Sequence, residues 1–101
     1  MAEYGWRIIR DCIGDGEAVG VIGPRDISSV LRQLLQDGCG QKFRLYDDDG
    51  ILYYEGRMMM EDSRIRPSDS ECALAPLDDY GAPDSGCTEI HWLVNGEWVQ
   101  V

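Results

Sequence analysis

The chain has one histidine, one phenylalanine and only nine lysines and arginines in 101 residues, against 19 aspartates and glutamates. That leaves a net charge of −10. Phosphate binding needs a cationic footprint, so neither nucleic acid nor an anionic membrane is expected as a direct partner. No apolar run approaches the roughly 18 residues of a membrane span. The opening MAEYGWRIIRD has an acid at position 3 and no long apolar stretch, unlike a secretory leader. A cytoplasmic chain is the expectation.

Cysteine is present but not in metal-binding form. The four, at 12, 39, 72 and 87, include no CxxC pair, and a single histidine does not complete a zinc set. Free thiols are expected. Cys72 and Cys87 bracket a long segment and would close it only under oxidation. There is no internal repeat and no low-complexity tract. No metal or other cofactor is expected.

What is present describes one small domain over residues 1–101. An apolar fraction of 44% is ordinary for a globular protein. A chain of this size buries about 65% of its unfolded surface, enough for one core but not for a large internal active site. Acid is concentrated towards the end: residues 1–60 carry ten acids and seven bases, residues 61–101 nine acids and two bases.

Residues 43–60, FRLYDDDGILYYEGRMMM, read as two strands folded back on an acidic turn. Asp49-Gly50 suits a two-residue hairpin, since glycine accepts a positive φ and aspartate tolerates one. That register pairs Leu45 with Tyr54, Tyr46 with Tyr53 and Arg44 with Glu55. Alternation then puts Phe43, Leu45, Leu52, Tyr54, Met58 and Met60 on a core face. Lys42, Arg44, Tyr46, Ile51, Tyr53, Glu55 and Arg57 fall on the other. An EF-hand with its glycine at position 50 would begin at Leu45 and end at Gly56, and neither side chain can ligate calcium. Asp47, Asp48 and Asp49 read as a solvated turn.

Residues 6–13 (WRIIRDCI) and 18–22 (AVGVI) predict a first hairpin across Gly14-Asp15-Gly16, with Gly20 marking a bulge. Gly23-Pro24 is expected to open a helix, with proline at its first position. Ile27, Val30, Leu31, Leu34 and Leu35 form its apolar stripe, and Gly38 stops it. The stripe is expected to pack on the apolar face of the central hairpin.

Residues 61–86 hold three prolines and seven acids without periodicity. They read as a long acidic loop, extending over 61–87, with Leu74, Leu77 and Tyr80 available to pin it. Asn95-Gly96 predicts a last hairpin that pairs Leu93 with Trp98 and Trp92 with Val99. Ile90, Trp92, Val94, Val99 and Val101 form its core face, and His91, Leu93, Trp98 and Gln100 the opposite one.

The blocks FRLYDDDGILYYEGR and PLDDYGAPDSGCTEI resemble those of small acidic bacterial proteins to which no activity is attached. The resemblance spans roughly residues 43–90. It implies a kind of domain and carries over no functional residues.

The expected fold is α+β: an antiparallel sheet of about six short strands, ordered ββαββ, long loop, ββ, with one amphipathic helix on one face. No catalytic set is recognisable. His91 lies near Cys87 and Glu89 in sequence, but the spacing is not diagnostic, and a non-enzymatic role is expected. The expected function is an acidic protein-binding module, an inhibitor or adaptor docking on a basic surface of a nucleic-acid-binding protein. A phage- or plasmid-borne anti-defence protein of the anti-CRISPR type fits that description. The expected contacts are Asp78, Asp79 and Asp84 in the acidic loop, with Tyr46, Tyr53, Arg44, Arg57 and Trp98 on the sheet. The alternatives are a small-ligand or cation-binding domain and, behind it, a small hydrolase using His91.

Overall fold

Six strands pair without exception antiparallel in a computed structural model that describes residues 2–101. They are β1 (Tyr4–Asp11), β2 (Ile22–Gly23), β3 (Gln41–Tyr46), β4 (Leu52–Met60), β5 (Glu89–Val94) and β6 (Glu97–Gln100), in the spatial order β2-β1-β4-β3-β5-β6. Helix α1 (Ser29–Gln36) lies between β2 and β3. Residues 61–88 hold a 3₁₀ turn (Pro67–Asp69), a wide π-helical turn (Leu77–Gly81) and the four-residue α2 (Ala82–Ser85). The chain is α+β.

The sheet is sandwiched between two unequal layers. One face carries Trp6, Ile8, Phe43, Leu45, Tyr54, Met58, Met60, Ile90 and Trp92, all buried in a single cluster with Ala75, Leu77 and Cys87. Their alternation along each strand sends them to the same side, and cross-strand pairing keeps them in register. Their cover is the acidic segment. The Trp92 indole donates to the Ala73 carbonyl at 3.0 Å, and Tyr80 packs between Trp6 and Tyr54 with ring centroids 5.4 and 5.3 Å away. The Tyr4 hydroxyl and the Trp6 indole both donate to Asp79 Oδ2, at 2.7 and 3.0 Å. The stretch expected as an open loop is therefore the second half of the core. Ala73, Ala75, Pro76 and Leu77 are its inward residues, while Leu74 faces solvent.

Helix α1 takes the other face, which corrects the expected packing. Gly5 and Arg7 point away from the main core, and Ile27 and Leu35 lie directly over Gly5. Arg7 Nη1 donates to the carbonyls of Leu35 and Gln36 at 3.2 and 3.4 Å, holding a cation at the helix C-terminus, where the dipole favours it. The helix also starts later than Pro24. Ser28 is its N-cap, accepting from the Leu31 amide at 3.1 Å, and the cis Gly23-Pro24 bond ends β2 instead. The buried stripe narrows to Leu31 and Leu35, and Val30 is 66% exposed. Gly38 does stop the helix. Its amide reaches Leu35 O and that of Cys39 reaches Leu34 O, the paired bonds of a Schellman turn with Gly38 at φ 88°.

Two of the three hairpin registers differ from expectation. The first hairpin shrinks to two paired residues in β2, and the rest of 12–21 is a loop fastened by the Asp11 carboxylate. In the central hairpin Leu45 meets Tyr54 and Arg44 meets Glu55 as expected, but a bulge then pairs Tyr46 with Leu52. Tyr53 is the extra residue. The last hairpin has the expected pairs, Leu93 with Trp98 and Trp92 with Val99, although Val99 and Val101 remain exposed.

Candidate functional site

Because α1 covers only the β1–β4 half of its face, the β3–β5–β6 half stays open. There Arg44 lies 4.1 Å over the Trp98 ring while its Nε bonds Glu55 at 3.0 Å. Lys42 reaches the other Glu55 oxygen at 3.6 Å. Burial opposes the charge on Arg44, but the hydrogen bonds it donates to Glu55 and Tyr46 outweigh it and raise its proton affinity. Tyr46 packs against His91 with ring centroids 4.4 Å apart and planes tilted by 48°, and His91 Nε2 lies 3.3 Å from Glu89. Arg57 donates to the Gly40 carbonyl at 3.2 Å. The expected residues Arg44, Tyr46, Arg57 and Trp98 thus share one patch, largely satisfied within itself.

Tyr53 does not join them. The bulge turns it to pack against the main core, and its proton affinity rises through desolvation and then the Asp47 charge it neighbours. Asp78, Asp79 and Asp84 belong to the opposite layer. Asp79 is occupied in holding Tyr4 and Trp6, which leaves Asp78 and Asp84 as the outward acids. Exposed Asp69 and Glu71 extend the same layer, and from Pro67 to Val101 the chain has seven acids and no lysine or arginine. The two surfaces expected to act together are separated by the thickness of the sheet, with charge sorted between them.

One recess escaped the sequence. It lies at the edge of the acidic layer, lined by Asp11, Ile13, Gly14, Glu17, Ala18, Tyr54 and Tyr80, with a volume of about 350 Å³. Asp11 builds its rim: Oδ1 accepts from Ile13 and Gly14 at 3.1 and 2.9 Å, and Oδ2 from Ala18 at 3.2 Å. Desolvation works against that carboxylate, but the three backbone bonds prevail and lower its pKa. The Tyr54 and Ser85 hydroxyls are bonded at 2.5 Å, tying α2 to the back wall. Gly14-Asp15-Gly16 signalled the turn. Nothing local signalled that two tyrosines from elements some 40 and 65 residues later would meet it.

Other expected chemistry is pulled apart. Cys87 is 2% exposed in the main core, and desolvation, then the Asp47 charge, push its thiol up to about 11. His91 sits on the other face, so no thiolate–imidazole pair forms. The Asp47, Asp48 and Asp49 carboxylates lie within 4.8 Å of one another, but Asp47 Oδ1 is taken by the amides of Asp49 and Ile51, at 3.0 and 2.8 Å. That is an aspartate shaping its own turn. All four cysteines are free thiols. Among the described residues, no helix is long and apolar enough to cross a membrane.

The half-buried hydroxyls and the buried thiol give a pH prediction. Tyr80 is pushed up to about 12, first by desolvation and then by the Tyr54 and Asp84 neighbours, and Tyr4 rises by desolvation and the Asp79 bond. Groups that hold their protons more tightly when folded contribute stability below their unfolded pKa and lose it as pH climbs through the folded one. The unfolded values are near 9 for cysteine and 10 for tyrosine. The melting temperature should therefore be flat up to about pH 9 and fall steadily towards pH 12, in step with tyrosine absorbance. A midpoint that rises over that window would contradict the assignment.

No family model, curated protein or solved structure matches the chain.

Proposed function

We propose that the chain is a non-enzymatic protein-binding module that lays its acidic layer on a basic surface, most concretely that of a nucleic-acid-binding protein it inhibits or adapts. The observation that carries this reading is the sorting of charge across the sheet. Arg7, Lys42, Arg44 and Arg57 stand on the helix side, while Asp69, Glu71, Asp78 and Asp84 face outward from the layer covering the core. Glu71, Asp78 and Asp84 have no ion-pair partner among the described residues, and Asp69 has only the exposed Arg66 at 3.8 Å. A field of one sign on one side steers association and occupies the place of a phosphate backbone. An anti-defence protein of the anti-CRISPR type is one form such a module takes.

The test is affinity capture at two ionic strengths with identification of what is retained. A basic, nucleic-acid-binding protein should be held at about 50 mM salt and released at about 500 mM, since screening shortens from about 14 to 4 Å over that range. Reversing two exposed acids, Asp78→Lys with Asp84→Lys, should weaken retention at least about tenfold while leaving the melting temperature within a few degrees. Retention indifferent to salt and to charge reversal would count against the acidic layer. So would a chain that retains nothing under either condition.

A further inference from the structure

The recess beside Tyr80 differs in kind from the rest of the acidic layer, because it has aromatic and apolar walls as well as carboxylates. We propose that it is a receptor for a single organic cation, the side chain of an arginine or lysine, seated against the Tyr80 ring with its charge on Glu17. That the cation belongs to a docking partner rests on the function proposed above. The recess itself does not.

Four observations lead to this occupant. Glu17 lines the recess and makes no hydrogen bond or ion pair among the described residues, so its charge is available. Ile13 and Ala18 give apolar wall against which the methylene stem of a long basic side chain can lie. Tyr80 and Tyr54 meet edge to face at 5.3 Å, fixing the Tyr80 ring in place as a cation–π surface. The neighbouring charges are negative: Asp11 forms the rim, and the charges of Asp84 and Asp11 both reach the Tyr80 hydroxyl. A volume of about 350 Å³ is at the low end of ligand sites, suited to one side chain and too small for a folded segment.

A bare divalent ion fits less well. Both Asp11 oxygens already accept from backbone amides, which leaves Glu17 of the two lining carboxylates, and calcium needs six to eight oxygens. An anion meets two carboxylates there and no lysine or arginine in the lining to balance them. The planar guanidinium suits the site best, since it stacks on an aromatic face and bonds a carboxylate with the same group.

The test uses the intact chain, labelled for amide and aromatic NMR, and two small probes at matched ionic strength. One is N-acetyl-arginine amide; the other is the citrulline equivalent, which keeps the shape and loses the charge. The arginine probe should move the Gly14 and Ala18 amides and the Tyr54 and Tyr80 rings, saturating at a concentration on the order of millimolar. The citrulline probe should move them far less. Glu17→Gln should weaken the arginine probe about threefold to tenfold without altering the melting temperature, because the Glu17 side chain supports nothing in the fold. Equal responses to both probes would overturn the proposal. So would shifts spread evenly over Asp69, Asp78 and Asp84, or an unchanged response in Glu17→Gln. The two proposals fail separately. A captured partner that binds Glu17→Gln as it binds the parent chain refutes the recess and keeps the docking. A site-specific arginine response in a chain that captures nothing does the reverse.

Discussion

Gly56→Ala should destabilise the protein by at least about 2 kcal/mol, although the general rule points the other way. Glycine within a strand costs roughly 0.5–1 kcal/mol relative to alanine, so its replacement is ordinarily a gain of that size. Here there is no room. Gly56 is buried in β4, between Ile8 of β1 and Phe43 of β3. A methyl group there would lie against the Phe43 ring and 2.5 Å from the Arg7 carbonyl oxygen. The phenylalanine is fully buried and cannot swing away, and the carbonyl belongs to the neighbouring strand, so relief means prising two strands apart. The steric term wins. Denaturant unfolding at constant m-value gives the number, and a midpoint equal to or above that of the parent chain would show the contact to be soft.

Trp92→Ala is expected to have the larger effect, about 3–5 kcal/mol, out of the 5–15 that holds a typical domain. Trp92 is completely buried on β5, packs edge to face on Phe43 at 5.5 Å, and donates its indole proton to Ala73. Its loss opens a cavity under the acidic segment and leaves the Ala73 carbonyl without its donor. The damage should be unequal. Amide exchange should quicken most in residues 73–87 and least in β1 and β4, whose other face is held by α1. Trp92→Phe, which keeps most of the packing and drops the hydrogen bond, should cost only about 1–2 kcal/mol. Uniform loss of protection, or equal costs for the two variants, would mean that the segment is held elsewhere.

Much of the sheet could be read in advance because turn chemistry is local. Asn95-Gly96 takes positive φ at both positions, 51° and 85°, and sets the β5–β6 register without outside help. Gly38 ends α1 for the same reason. What could not be read was which layer covers which face. The apolar stripe of α1 is amphipathic wherever it packs, and only the bare surface at Gly5, far away in sequence, selects its side. The acidic segment hid its role differently. Its inward residues are two alanines, a proline and a leucine at irregular spacing, held by scattered contacts to Tyr4, Trp6, Tyr54 and Trp92, so no period betrays it. Tyr53 was misplaced by the bulge, which reverses a side chain without changing the outer register. The site suffered most from this. The loop acids and the sheet residues expected as contacts of one partner lie on opposite faces of the sheet, and the recess is assembled from three parts of the chain.

The order of the strands bears on how the protein is made. The β1–β4 pair joins residues about 43 to 56 positions apart, and β1 cannot be shielded on its core side until Tyr80 and Asp79 arrive. On a ribosome, then, the first half of the chain emerges with Trp6 and Ile8 bare and nothing to shut over them. Folding must wait until nearly the whole length is available, and the nascent form displays apolar surface throughout. A chain stalled after β4 should be sticky and chaperone-bound, and the full-length chain, with Trp92 and β6 in place, should not.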